Sequence, residues 1–249
     1  MSKVFVVKVV EVSDAVFKGL NALNIDRPLK KVVVKPNLQK PLEYPHSIPG
    51  EVVDAVVSYF KKFKKGILIV EGSFHHETAN VFKKLGFLEI ARKHGVQLID
   101  LNRDFEVKEE KPDAIILKKF SVPRTLYDSY LISIANCCKT ESSFKLSLAN
   151  VFEGALKWIQ LDGKILDELI VDVNLYLKPN LTIIDARKCL LDSEIKELGV
   201  MIFSKDVVAA DAVAVRMMGF NPSKCRYLTL AEKAGLGTSN LKKIEVIHL

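Results

Sequence analysis

Arginine, glutamine and tryptophan are scarce in this 249-residue chain, which has seven Arg, three Gln and one Trp, and its four cysteines fall in no metal-binding pattern. Cys137 and Cys138 are adjacent while Cys189 and Cys225 stand alone, so no C-x-x-C pair is present to seed a zinc or iron–sulfur site. Free thiols in a reducing compartment are expected instead. No G-x-G-x-x-G or Walker A loop occurs, which argues against a standard dinucleotide or nucleoside-triphosphate site, and no G-x-S-x-G elbow supports Ser73, His75 and Asp185 as a hydrolase triad. No apolar run approaches the roughly 18 uncharged residues of a membrane span. The N-terminal run MSKVFVVKVV is broken by Lys8 and lacks a small-residue cleavage site, so it reads as a first strand rather than a signal peptide. The expectation is a cytoplasmic protein.

What is present is ordinary for a globular protein: 49% hydrophobic and 27% charged residues, with no disordered tract and no Pro-, Gly- or Ser-rich linker. A chain of this length buries roughly three quarters of its unfolded surface, so it needs no disulfide staples. A single domain over residues 1–249 is expected, with a small excursion or hairpin at 104–120. The net charge of +7 raises the question of nucleic acid. Yet the cations are overwhelmingly Lys, whereas base and phosphate recognition favours the guanidinium fork. Lys-rich, Gln-poor composition is also what high growth temperature selects, so a thermophile surface is the preferred reading. The run Lys61-Lys62-Phe63-Lys64-Lys65 falls at the end of a helical pattern, where cations suit the helix dipole.

Short β-branched runs alternate with stretches of helical periodicity. Strands are expected at about 3–10, 31–34, 66–70, 96–100, 114–117, 130–135, 181–184, 200–203 and 243–247, and helices at 14–23, 49–63, 78–85, 87–94, 165–175, 206–218 and 223–234. This alternation predicts an α/β fold with a largely parallel or mixed central sheet covered by helices on both faces. In such sheets ligands bind where the carboxyl ends of strands converge. Five expected strand ends release polar clusters: Lys35-Pro36-Asn37, Glu71-Gly72-Ser73, Asp100 with Asn102, Asn136 with Lys139-Thr140, and Asp185 with Arg187. Turn-forming and capping roles account for many Asn, Asp and Ser residues in such places. Lys35 and Lys139 are harder to explain so, because Lys forms no turn.

The segments VVVKPNL, IVEGSFHHETANVFKKLGFLEIARKHGVQLIDLN, ISIANCCKT, LANVFEG, IIDAR and SKDVVAADAVAVRMMGFNP follow one another in an order and spacing similar to the signatures of the domain of unknown function 362 family. The likeness runs from about Val32 to Ile247. The resemblance implies a cytoplasmic α/β protein; some members carry a ferredoxin-like module with two four-iron clusters, and this chain has neither that module nor its cysteines. It places Lys35 and Asn37 on the family's K-P-N loop, Glu71 and Ser73 on its E-G-S turn, Lys139 and Thr140 on its K-T-H loop, Asn150 on its K-N pair, and Asp206 and Asp211 on its S-x-D-x-x-A-x-D helix. Glu141 stands where the family usually has His and Ala149 where it has Lys, and CLLDSEIKELG replaces a glycine-rich stretch.

Together these readings predict a crevice lined by Lys35, Asn37, Ser73, Lys139, Thr140 and Asn150 that binds an anionic small molecule or cofactor. Any catalysis would draw on Lys35 or Lys139 to polarise a substrate and on Glu71 or Asp185 to carry a proton. Lys35, Glu71, Asn102, Lys139 and Asp185 are expected in one concavity, with Lys35 and Lys139 repelling each other until an anion arrives. His75 and His76, with His46 or Glu71, are the weaker candidates for a metal, because adjacent residues on extended backbone point to opposite sides. Rival partners are nucleic acid on the Lys61–Lys65 surface and an iron–sulfur protein attracted by the positive net charge.

Overall fold

A computed structural model describes residues 1–63, 65–141, 143–155, 157, 159, 165–192 and 194–249. In chain order its elements are β1 (Ser2–Lys8), α1 (Val12–Ala22), β2 (Val32–Pro36), α2 (Gly50–Lys61), β3 (Ile67–Glu71), α3 (Thr78–Lys84), α4 (Phe87–His94), β4 (Gln97–Asp100), β5 (Glu106–Glu110), β6 (Lys119–Pro123), α5 (Arg124–Tyr127), β7 (Tyr130–Lys139), β8 (Phe144–Lys145), α6 (Ser147–Glu153), α7 (Leu166–Tyr176), β9 (Leu181–Leu191), β10 (Glu194–Ser204), α8 (Val207–Met217), α9 (Arg226–Lys233) and β11 (Ile244–His248).

Among the described residues nine strands form one sheet in the order β11-β1-β10-β9-β7-β2-β3-β4, with β8 added to the far end of β7. The run β9-β7-β2-β3-β4 is wholly parallel. In it β10 runs against its neighbours β1 and β9, and β8 against β7, so the fold is α/β with a mostly parallel, mixed sheet. The alternation of side chains along β2 sorts the core into two layers. Val32 and Val34 pack with α1, α2 and Phe82 and Phe87 of the helices beyond, while Val33 faces the other way, into the layer made with α6 to α9.

Two expected features differ in the structure. The apolar run 114–117 is a turn rather than a strand. Asp172 on α7 is fully buried and accepts hydrogen bonds from the backbone N–H groups of Ile115, Ile116 and Leu117 at 2.7, 2.6 and 2.8 Å, which takes those donors away from any ladder. The strands there are β5 and β6 on either side, paired as a separate two-stranded sheet. The polar segment after Ile184 is also no loop. β9 continues to Leu191, turns through Asp192 at φ 54° and returns as β10, and the ladder shifts register next to Gly199, whose φ of 66° suits a residue without a Cβ. The extended ends of β7 and β9 rise past the other parallel strands and form one side of a crevice.

Candidate functional site

The carboxyl ends of β2, β3, β4, β7 and β9 open on one edge of the sheet, and what fills that edge begins with Lys35. Two residues beyond Val33, it faces the α6 layer and has no solvent exposure. Its ammonium donates to Glu71 Oε1 and to Asn150 Oδ1, both at 2.8 Å. Glu71 in turn accepts from the backbone N–H groups of Leu38 (2.7 Å) and Gly72 (2.8 Å) and from Gln39 Nε2 (3.2 Å). Asn150 uses its amide hydrogens on Lys35 O at 3.0 Å and Ser133 Oγ at 2.9 Å. A buried charge is tolerated only when paired and hydrogen-bonded, and this group meets both conditions. The network joins the loop after β2, the turn after β3 and helix α6. A Cβ on Gly154 would collide with the Lys35 side chain, so the chain leaves α6 on the one residue type that fits.

Helix α6 is held from its other end by Asp211 of α8, fully buried, whose carboxyl group accepts from the N–H groups of Ser147 (2.9 Å) and Leu148 (3.1 Å). Burial pushes its pKa up to about 7 against those hydrogen bonds. Asp206 instead caps α8, accepting from Ala209 N at 2.9 Å.

Asn150 and Glu153 are three apart on α6 and share a face. Glu153 accepts from Asn37 Nδ2 at 2.7 Å and pairs with Lys145 Nζ at 3.2 Å. The attraction of Glu153 raises the Lys145 pKa. Above this pair lies a cavity of about 110 Å³, bounded by Asn37, Gln39 and Lys40 from the β2 loop, His46 beyond it, Asn136, Cys138 and Thr140 from β7, and Lys145 with Glu153. Lys40 makes no ion pair among the described residues. Burial pushes the Cys138 thiol up, which keeps it un-ionised.

A second, broader cleft of about 520 Å³ adjoins the ends of β3 and β4, with Ser73, His75, His76, Asp100, Asn102 and Arg103 among its walls. Gln39 lies between the two: its Nε2 bonds to Glu71 and Gly72 O, and its Oε1 accepts from Phe74 N at 3.1 Å. Ser73 Oγ is spent on Leu38 O at 2.9 Å, and Asn102 Nδ2 on Ser73 O at 2.9 Å.

The expected site residues therefore separate into groups. Lys35, Glu71, Asn150 and Ser73 are buried beneath the edge and bonded to one another or to its loops. Asn37 and Thr140 line the small cavity. Lys139 and Asp185 do not join them: Lys139 reaches Asp192 at 3.1 Å and lies 5.5 Å from the centre of the Phe220 ring, while buried Asp185 is clasped by Arg187 at 3.0 and 2.8 Å and accepts from Tyr44 OH at 3.1 Å. The mutual repulsion expected of Lys35 and Lys139 is thus replaced by a separate carboxylate partner for each. His46 borders the cavity whereas His75 and His76 border the cleft, so His46 is apart from the other two candidate metal ligands. Among the described residues no group of three or more His, Cys, Asp and Glu is placed to hold a metal ion. Lys40, Lys145 and Glu153 were missed from sequence; the i,i+3 spacing of Asn150 and Glu153 in LANVFEG is the signal that points to the last.

At the opposite, amino ends of β2, β3 and β4, Lys31, Lys61 and Lys65 border a cleft of about 440 Å³. Lys62 stands 3.5 Å above the Tyr59 ring, and Lys64 lies outside the described residues. No helix among the described residues is long and apolar enough to cross a membrane.

Comparison with known proteins returns no match among curated proteins and none among solved structures. One family model does match, over residues 32–216, a span that starts at β2 and ends in α8 and so contains the whole network just described. The chain belongs to the family described as Domain of unknown function (DUF362).

Proposed function

We propose that the strand-end crevice binds an anionic small molecule or cofactor, with the cavity above Glu153 as its recognition pocket. The observation that carries this reading is the charge balance at the rim. Two ammonium groups, Lys40 and Lys145, meet there with one carboxylate, Glu153, that Lys145 and Asn37 already engage. The surplus cation favours an anion. Asn37 and Thr140 would orient the ligand, and Lys35, Glu71, Asn150 and Ser73 would hold the loops that carry the contacts. Lys139, beyond the cavity wall, would contribute by its field. Any reaction would have to draw on Glu153 as well as on the carboxylates expected from sequence, since Glu71 and Asp185 are fully engaged.

Isothermal titration of the full chain with sulfate and with a set of small carboxylates tests the reading. At least one should bind, and Lys40→Gln should weaken it about tenfold or more, consistent with loss of a charge-assisted contact of about 1.5–3 kcal/mol. Lys61→Gln with Lys65→Gln, at the other end of the sheet, should leave that binding unchanged. If the protein instead binds RNA or DNA at physiological salt and this pair of substitutions abolishes it, the rival nucleic-acid reading replaces this one.

A further inference from the structure

Asp185 and Arg187 have no part in the anion pocket, and what they hold is a loop. Between β2 and α2 the chain closes a loop at its base: Ile48 N donates to Asn37 O at 3.0 Å and Ser47 Oγ to Lys40 O at 2.7 Å. Its tip, 41–46, reaches across to β7 and β9. There Tyr44 OH donates to Asp185 Oδ1 at 3.1 Å and accepts from Lys188 N at 2.6 Å, with the Arg187 guanidinium 5.0 Å from the ring centre. Burial, and after it the Asp185 carboxylate, push the Tyr44 hydroxyl well above its ordinary range, so it keeps the proton it donates. The acceptor is a fixed point: Asp185 has no exposure, and Arg187 grips it at 2.8 Å while holding Glu51, in the first turn of α2, at 2.7 Å. Beside Tyr44, the Pro45 carbonyl accepts from Asn136 Nδ2 on β7.

The loop borders two hollows. To the cavity of about 110 Å³ it gives Lys40, Pro45 and His46. A second hollow of about 330 Å³ is bounded by Leu42, Glu43, Tyr44 and Ser47 of the loop and, across from them, by Lys84 and Leu85 after α3. The tip keeps little apolar surface from water: Pro45 is buried, but Leu42 is 45% exposed and Glu43 and His46 are exposed. Segments with few buried apolar contacts open at low cost. From a closed base, a polar catch at the tip and room to move into, we infer that the segment 40–47 is a strap that opens and shuts the small cavity, with the Tyr44 hydroxyl on Asp185 as its latch. Opening admits a ligand, and closing brings Lys40 to it, the one step that rests on the proposed anion pocket. Asp185 and Arg187 are then positioning residues, which fix the point where the strap catches.

Cys138 reports the opening. Burial is the main cause of its raised thiol pKa, and the charges that act on it include Lys145, Glu153 and Lys40, which places the sulfur among the groups that line the cavity. A neutral maleimide carrying a polyethylene glycol chain is too large for a cavity of about 110 Å³, so its addition to Cys138 should follow the strap. The full chain is labelled under native conditions, and the modified cysteines are located by mass spectrometry of peptides. Tyr44→Phe keeps the ring against Arg187 and removes the hydroxyl alone. It should raise the rate at Cys138 about tenfold or more, in step with the population of the open strap, while Cys137 and Cys189, both without exposure, stay unlabelled. An unchanged rate at Cys138 overturns the latch. A rise shared by Cys137 and Cys189 means that the substitution acts by unfolding the whole chain, and overturns it as well. No anion is present in this experiment, so the pocket stands or falls separately, on its own titration.

Discussion

Two triads of the same composition sit within one helix turn of each other and behave in opposite ways. Below the edge, Lys35, Glu71 and Asn150 are sealed, with both charged side chains at 0% exposure. Above it, Lys145, Glu153 and Asn37 repeat the chemistry with the lysine side chain 48% exposed. In the lower triad the charges are dry, every partner is fixed, and removal of one member strands another in a low-dielectric interior. In the upper triad solvent reaches the lysine, although Glu153 is only 8% exposed, so that ammonium could turn to another partner at smaller cost than Lys35 could. Burial rather than residue type decides which lysine is sealed into the fold and which stays open to solvent.

The comparison breaks most visibly at Lys35. Lys35→Met leaves Glu71 buried without its cation and should cost about 3–5 kcal/mol, read by chemical denaturation. If the loss is below about 1 kcal/mol, the lower triad is no more structural than the upper one.

A middle-sized effect is expected at Asp211, which anchors the helix shared by both triads. Its carboxyl pKa is about 7 in the fold against an ordinary value of 3.8, so the folded state holds the proton more tightly than the unfolded chain. The associated stability is present below pH 3.8 and is lost as pH rises through about 7, on the order of a few kcal/mol in total. Asp211→Asn should flatten the wild-type decline in stability measured from about pH 5 to pH 8. An unchanged slope would mean that burial does not set the proton affinity of this group.

The smallest changes belong to Lys145 and Lys139, whose side chains are 48% and 20% exposed against 0% for Lys35. Lys145→Met and Lys139→Met should each alter stability by less than about 1 kcal/mol in the same denaturation assay. The first should also weaken anion binding, and by more than the second, because Lys145 borders the cavity and Lys139 does not. A large loss in Lys145→Met would collapse the distinction between the two triads.

The placement of Lys35, Asn37, Glu71 and Ser73 at one edge was legible because a β-branched run that stops at a polar cluster marks the end of a parallel strand. The direction of the Lys35 side chain was not, although the period of two along Val33-Val34-Lys35 puts it on the Val33 face. Asn150 is a contact over 115 residues, and no local pattern pairs it with a lysine. Lys139 and Asp185 misled for a related reason. Both follow the expected strand ends, but β7 and β9 run on past those points, since Cys137 to Lys139 and Cys189 to Leu191 extend the ladder. Glu153 was hidden in a segment too short for helical periodicity to be counted.

That shortness has a consequence for how the molecule assembles. Seven residues are too few for a helix to persist alone, so α6 waits for partners that the chain supplies far away on both sides: Lys35, 115 positions before Asn150, and Asp211, 64 positions after Ser147. Closing loops of this length is slow compared with local helix formation, so the crevice is expected to form late in folding and not in a fragment that ends before α8. The family match, beginning three residues before Lys35 and ending five after Asp211, spans little more than the stretch of chain needed to close both.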